Sequence, residues 1–302
     1  MTDVFIIGGF LGSGKTTMLA NIISQEKKAG RKIAVLMNEL GKVSLDSYFI
    51  DEGIPLKELY DGCICCTLQD RVESQVQELL SQNELDAIYI ETTGAAHPVE
   101  VLDSIMSPFL ADKLKYRGII TVVDLLGWKR REEFSPQVRQ LLYEQVYHGD
   151  FLLLNKMDLV AEIEAAAFVF EIQSINSSAE IVLTQNAAVS IKQLQTVNMT
   201  EKTEHSKADI GRQLKLSALT YDFKGSISQT DFENWLRSLP ESIYRMKGFL
   251  PFKSHTRPVL FQYSYGMPLY MNQEMKMPLK LVVIGEQLDK QRLAQQLSDM
   301  EQ

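Results

Sequence analysis

Val4-Phe5-Ile6-Ile7-Gly8-Gly9-Phe10-Leu11-Gly12-Ser13-Gly14-Lys15-Thr16-Thr17 joins an apolar run to a glycine-rich turn, and the turn to a helical pattern. Strand, Gly-x4-Gly-Lys-Thr and helix in that order specify a phosphate-binding loop. The glycines let successive backbone N–H groups turn inward on a β-phosphate, and the helix N-terminus adds positive potential. Gly12, Ser13 and Gly14 supply the cradle, Lys15 reaches the β- and γ-phosphates, the Thr16 hydroxyl takes Mg²⁺ and Thr17 touches the α-phosphate. Lys15 is therefore a catalytic as well as a binding candidate.

Outward from this loop, short apolar runs alternate with helical patterns. Strands are expected at 4–7, 33–37, 56–60, 87–90, 119–123, 151–154 and 180–183, and helices at 15–28, 69–80, 98–104, 136–147, 160–175 and 191–194. Several strands are apolar on both faces, as in a mostly parallel sheet covered by helices, so residues 1–198 read as a doubly wound α/β domain. The polar, aperiodic stretch 199–212 reads as a linker. Residues 213–302 read as a smaller α+β domain, with strands near 214–219, 243–252, 259–265 and 280–285 and helices near 230–238 and 290–299. Its aromatic residues, Trp235, Phe249, Phe252, Phe261, Tyr263 and Tyr265, follow strand and helix patterns and belong to a core. The run Lys247–Phe252 is a candidate edge strand for a client.

Composition narrows the function. A length of 302 residues accommodates two domains, and the formal net charge of −8 argues against a nucleic-acid backbone as partner. No apolar run is long enough to cross a bilayer, and the start lacks the basic flank of a signal peptide, so a cytoplasmic protein without a membrane partner is expected. All three cysteines lie at Cys63, Cys65 and Cys66; an odd, tight cluster suits metal or redox chemistry in a reducing compartment better than disulfides.

Two further segments choose the nucleotide. Asn155-Lys156-Met157-Asp158 follows an apolar run. The Asp158 carboxylate can accept from guanine N1–H and the exocyclic amine, a donor pair that adenine lacks. Lys156 lies along the base, and Asn155 ties the base loop to the phosphate loop. Upstream, Ile88-Tyr89-Ile90-Glu91-Thr92-Thr93-Gly94 is a strand ending in Glu-x-x-Gly. Glu91 can hold the Mg²⁺ shell through water, and the Gly94 N–H can approach the γ-phosphate. No glutamine follows Gly94 to position the attacking water; Glu39 and Glu91 are the two candidates, and slow intrinsic GTP hydrolysis is expected.

These motifs, with Asn38-Glu39-Leu40-Gly41, Gly62-Cys63-Ile64-Cys65-Cys66, Asn176-Ser177-Ser178-Ala179, Tyr244–Gly248 and Leu281–Gly285, closely resemble the metallochaperone-type GTPases of the cobalamin-synthesis W family over nearly the whole chain. Relatives of that group are the urease and hydrogenase accessory GTPases. The resemblance implies GTP hydrolysis, with GDP as product, coupled to handling of a transition metal, zinc or cobalt. It makes Asn38–Gly41 the first switch, with Glu39 near the nucleotide Mg²⁺. It implies a client metalloprotein or apo-enzyme as partner and leaves open a nucleotide- or metal-dependent dimer. The C-terminal domain would recognise the client or modulate the switch.

Thiolates are soft ligands for such ions, and Asp61-Gly62 supplies the turn that lets Cys63, Cys65 and Cys66 converge, leaving an open position suited to transfer. Single cysteines are commonly buried small hydrophobes, but three within four residues point to ligation. Three residues depart from the resembled pattern: Met37 and Lys42 replace acids, and His97 stands where an Asp is usual, as an exposed loop residue or a substitute ligand. The linker carries only His205, too little to store metal. Two further classes of function are open. One is a GTP-dependent binding module sensing metal or redox state with negligible turnover; the other is a small-molecule kinase, disfavoured by Asp158.

Overall fold

The parallel sheet grows from the strands that are apolar on both faces. They are β1 (Thr2–Gly8), β2 (Ile33–Met37), β3 (Leu56–Glu58), β4 (Ala87–Glu91), β5 (Leu114–Asp124), β6 (Phe151–Asn155) and β7 (Glu180–Leu183). A computed structural model describes residues 1–37, 54–58, 68–95, 98–196, 216–264, 266–272 and 277–301. All seven strands are parallel, in the order β3-β2-β4-β1-β5-β6-β7. Every residue of β2, β4 and β6 is buried, as expected where helices cover both faces. β1 lies between β4 and β5, which leave it in opposite directions across the sheet. This is the topological switch point, where ligands bind at the carboxyl ends of strands.

The helices of this unit are α1 (Lys15–Lys28), α2 (Leu68–Gln82), α3 (Pro98–Ile105), α4 (Leu125–Lys129), α5 (Pro136–Tyr147), α6 (Glu162–Ile175) and α7 (Ile191–Thr196). Met18, Leu19, Ile22 and Ile23 of α1 fall at helical spacing and pack with Phe5, Ile7, Val35 and Tyr89. The start of α5 is set by Ser135, whose hydroxyl accepts from the Val138 N–H, and by Pro136 in the first turn.

The chain forms two compact units, one of 1–104 with 113–212 and the other of 105–112 with 213–302. The second unit is an antiparallel sheet in the order β11-β10-β9-β12-β8, formed by β8 (Leu216–Asp222), β9 (Ile243–Leu250), β10 (Val259–Ser264), β11 (Met267–Asn272) and β12 (Lys280–Glu286). Helices α8 (Gln229–Arg237) and α9 (Lys290–Asp299) supply Phe232, Trp235, Leu236, Leu293 and Leu297 to its core. Ile105–Asp112 belongs to this unit: the Phe109 ring meets Phe249 edge-on at 5.5 Å, and Lys280 Nζ lies 2.5 Å from Asp112 and 2.7 Å from Asp222.

Several elements differ from expectation. β5 starts at Leu114 rather than 119, because Arg117 is neutralised by Asp3 at 2.8 Å and its strand can pair with the start of β1. α4 and β11 were not expected. α4 is only five residues long, too short for a helical period to show, and β11 is an edge strand with Met267, Leu269 and Met271 exposed, so it lacks an alternating burial pattern. β8 is displaced toward Asp222 from the expected 214–219; β9 ends at Leu250, before Pro251, and pairs with both β10 and β12, so the run that begins at Lys247 is interior and not the edge strand expected. No helix among the described residues is long and apolar enough to cross a membrane.

Candidate functional site

The phosphate loop closes at the carboxyl end of β1. Gly14 sits in the left-handed region, φ 110°, and a Cβ there would lie 2.5 Å from Asn155 Nδ2, so both the turn and the packing require glycine. Lys15 is buried to 7% exposure, with Nζ donating to the carbonyls of Gly9 at 2.8 Å and Phe10 at 3.2 Å. Its ammonium thus curls inside the loop that it serves. Ser13 is fully buried, and its Oγ has no hydrogen-bond partner among the described residues. Gly12 and Thr17 are exposed at the rim.

On one side of β1, the Thr16 hydroxyl donates to Glu91 Oε1 at 2.9 Å. The other Glu91 oxygen is buried without a hydrogen-bond partner among the described residues. Burial pushes the Glu91 carboxyl above its ordinary range; the Thr16 hydrogen bond and the Lys15 charge work in the opposite direction. Gly94 lies against the phosphate loop: a Cβ there would be 2.6 Å from the Leu11 nitrogen, and Gln145 Nε2 donates to the Gly94 carbonyl at 3.1 Å. Met37, at the position where the resembled family carries an acid, is buried in the core and in register with Glu91.

On the other side, β6 delivers Asn155, which is 3% exposed and makes two bonds. Its Nδ2 donates to the Ser13 carbonyl at 2.8 Å, and its Oδ1 accepts from the Ala187 N–H at 2.8 Å. Lys156 takes a left-handed backbone, φ 63° and ψ 36°, and its Nζ lies 2.6 Å from Asp124 Oδ2. Asp158 follows in a short 3₁₀ turn, Met157–Leu159, and is exposed.

The structure adds a third loop that the sequence motifs did not disclose. Asn186 and Ala187 both have positive φ, at 52° and 50°, just after β7. Asn21 of α1 donates to the Asn186 carbonyl at 3.0 Å, and Gln25 donates to the Val189 carbonyl at 2.7 Å. The Thr184 hydroxyl closes the loop on the Ala188 carbonyl at 2.8 Å. An asparagine just after a strand was its available signal, since asparagine tolerates the left-handed region.

Lys15, Thr16, Glu91, Gly94, Asn155 and Lys156 are thus gathered around one loop at the switch point. Glu39, Lys42, Cys63, Cys65, Cys66, His97 and His205 lie outside the described residues.

Residues 3–183 match the CobW/HypB/UreG nucleotide-binding domain, and residues 216–301 match the cobalamin synthesis protein cobW C-terminal domain. The zinc chaperone YjiA of Escherichia coli is 28% identical over 86% of this chain and 85% of its own length. The zinc-regulated GTPase metalloprotein activator 1 of Dictyostelium discoideum is 27% identical over 82% of this chain, which spans only 55% of that protein. The crystal structure of Zn(II)-bound YjiA GTPase from E. coli shares the fold over 100% of this chain and 99% of its own, with a TM-score of 0.53 at 22% identity.

Proposed function

This chain belongs to the CobW/HypB/UreG family, and from that premise we propose that it is a GTPase coupling Mg-GTP hydrolysis to binding and delivery of a transition metal, zinc or cobalt, to a client apo-protein. The observation that carries the GTPase half is the pair of hydrogen bonds made by Asn155, one of which fastens the base loop to the phosphate loop and the other to the loop after β7. A purine held by the base loop and a triphosphate held by the phosphate loop are then parts of one ligand. The orphaned Ser13 hydroxyl and the buried second oxygen of Glu91 fit a Mg-nucleotide, which offers phosphate oxygens and a metal-bound water shell. Gly12, Ser13, Gly14, Thr17 and Gly94 surround the phosphates. Lys15 would stabilise charge on the transferring group, Thr16 and Glu91 would hold Mg²⁺, and Glu39, outside the described residues, is a further Mg²⁺ ligand by the resemblance alone. Asp158 reads guanine, with Lys156 along the base.

The metal is cargo, and Cys63, Cys65 and Cys66 are its proposed ligands. Zinc takes precedence because the two relatives above carry zinc in their names. A cytosolic site of action keeps the thiols reduced.

The test is titration of the purified protein with Zn²⁺, Co²⁺ and Ni²⁺, with and without a non-hydrolysable GTP analogue. Coupling between the sites is reciprocal: nucleotide should change metal affinity, and metal should change GTP affinity by the same factor. Cys65→Ser is expected to weaken metal binding while leaving GTP binding intact. Equal metal affinity in both nucleotide states would remove metal delivery from the proposal, and failure to bind GTP would remove the whole of it.

A further inference from the structure

We propose that Asp124, outside every recognised nucleotide motif of this chain, is a positioning residue for guanine recognition that acts through Lys156. It rests on the base site proposed above. Asp124 is the last residue of β5 and sits in register with Asn155 of β6, so its side chain emerges beside the first residue of the base loop. Its two oxygens do separate work. Oδ1 accepts from the N–H groups of Leu126 at 3.0 Å and Gly127 at 3.2 Å, capping α4. Oδ2 accepts from Lys156 Nζ at 2.6 Å.

The cap alone does not account for a carboxylate, because an asparagine or serine oxygen caps a helix as well. The second oxygen is what calls for aspartate. Lys156 is held in a left-handed backbone that a residue with a Cβ seldom adopts, and it carries a long flexible stem. Pinning the ammonium at Asp124 stretches that stem between two fixed points, its own Cα and the end of β5. The stem is therefore ordered before the nucleotide arrives and presents a preformed edge to the guanine ring, so less freedom is lost on binding. The pair is only partly exposed, with side chains at 32% for Lys156 and 21% for Asp124, so solvent screens it incompletely.

The test is a double-mutant cycle on the full chain with GDP and GTP. Asp124→Asn keeps the cap and removes the charge. It should weaken GDP binding about fivefold, the scale of one partly exposed ion pair, and raise KM for GTP in proportion. Turnover at saturating GTP should stay within about twofold, because the reacting phosphates lie elsewhere. In a Lys156→Met background the same substitution should have no further effect, since its route is gone. A role confined to capping α4 predicts the opposite: no loss of affinity in Asp124→Asn, or the same loss with and without Lys156. Either result overturns the proposal. If Asp124→Asn does not fold, Asp124→Ser, which also caps, takes its place. Asp158→Ala separates the two levels of inference. If it and Lys156→Met weaken GDP while Asp124→Asn does not, the base site stands and only the role of Asp124 falls. If Asp158→Ala leaves GDP binding unchanged, the base site falls and the proposal with it.

Discussion

Burial of Glu91, which leaves one of its oxygens without a hydrogen-bond partner among the described residues, opposes ionisation more than the Thr16 bond and the Lys15 charge favour it. A carboxyl whose proton is held more tightly in the folded than in the unfolded chain makes stability fall as pH rises. The loss begins at the ordinary carboxylate range, where the unfolded chain ionises, and is complete above the raised folded value. Glu91→Gln should therefore melt higher than the native protein near pH 8 in the absence of nucleotide and Mg²⁺, and this difference should close below about pH 4, where both carboxyls carry protons. The same substitution should lower GTP hydrolysis if the carboxylate holds the Mg²⁺ shell as proposed. Melting scans at the two pH values check the first half; a native protein that melts higher than the variant at pH 8 contradicts it. The place of Glu91 beside the phosphate loop was legible because it is an acid ending an apolar strand downstream of that loop. The contact of Asp124 with Lys156 was not, because Asp-Leu-Leu-Gly-Trp reads equally well as a turn, and Lys156 lies 32 residues away.

Three element ends meet at Asn155: the carboxyl end of β6, the loop before α1 and the loop after β7. Asn155→Ala leaves the Ser13 carbonyl and the Ala187 N–H buried without these partners, which costs about 2 kcal/mol or more. The expected outcome is a lower melting temperature together with a loss of GDP affinity larger than Lys156→Met produces. Thermal melting with calorimetric titration measures both, and unchanged stability would show that the loops are joined by something else. Elements were legible in proportion to how much of their surface is buried. The apolar runs of β2, β4 and β6 could not be mistaken, and α1, α5 and α9 were bounded by glycine, proline or a capping side chain. β11 shows only an exposed Met-Leu-Met stripe and was missed, while the polar first half of β5 became legible only with Asp3 opposite Arg117. The loop after β7 has left-handed residues at Asn186 and Ala187, and alanine at such a position gives no sequence signal.

At the scale of the molecule, the chain is not divided at a single point. Residues 105–112, from the last residue of α3 to just before β5, belong to the unit that otherwise begins at 213, and the hydrophobic pattern gave no sign of it because Ile105 and Leu110 are as apolar as any core residue. Within that unit the segment has specific partners. Ile105 and Leu110 are fully buried, the ring of Phe109 is edge-on to Phe249, and Asp112 shares Lys280 with Asp222. Phe109 retains 37% exposure, so truncating it should remove about 1–2 kcal/mol, less than a fully buried phenylalanine. Phe249 lies in β9, which pairs with β10 and β12, so the loss belongs to the antiparallel sheet. In the full chain, Phe109→Ala should speed amide exchange in β9 and β12 by about tenfold while leaving β1 and β4 at native protection, because exchange reports each cooperative unit separately. Equal acceleration in both sheets would mean that the segment stabilises the parallel sheet as much as the antiparallel one.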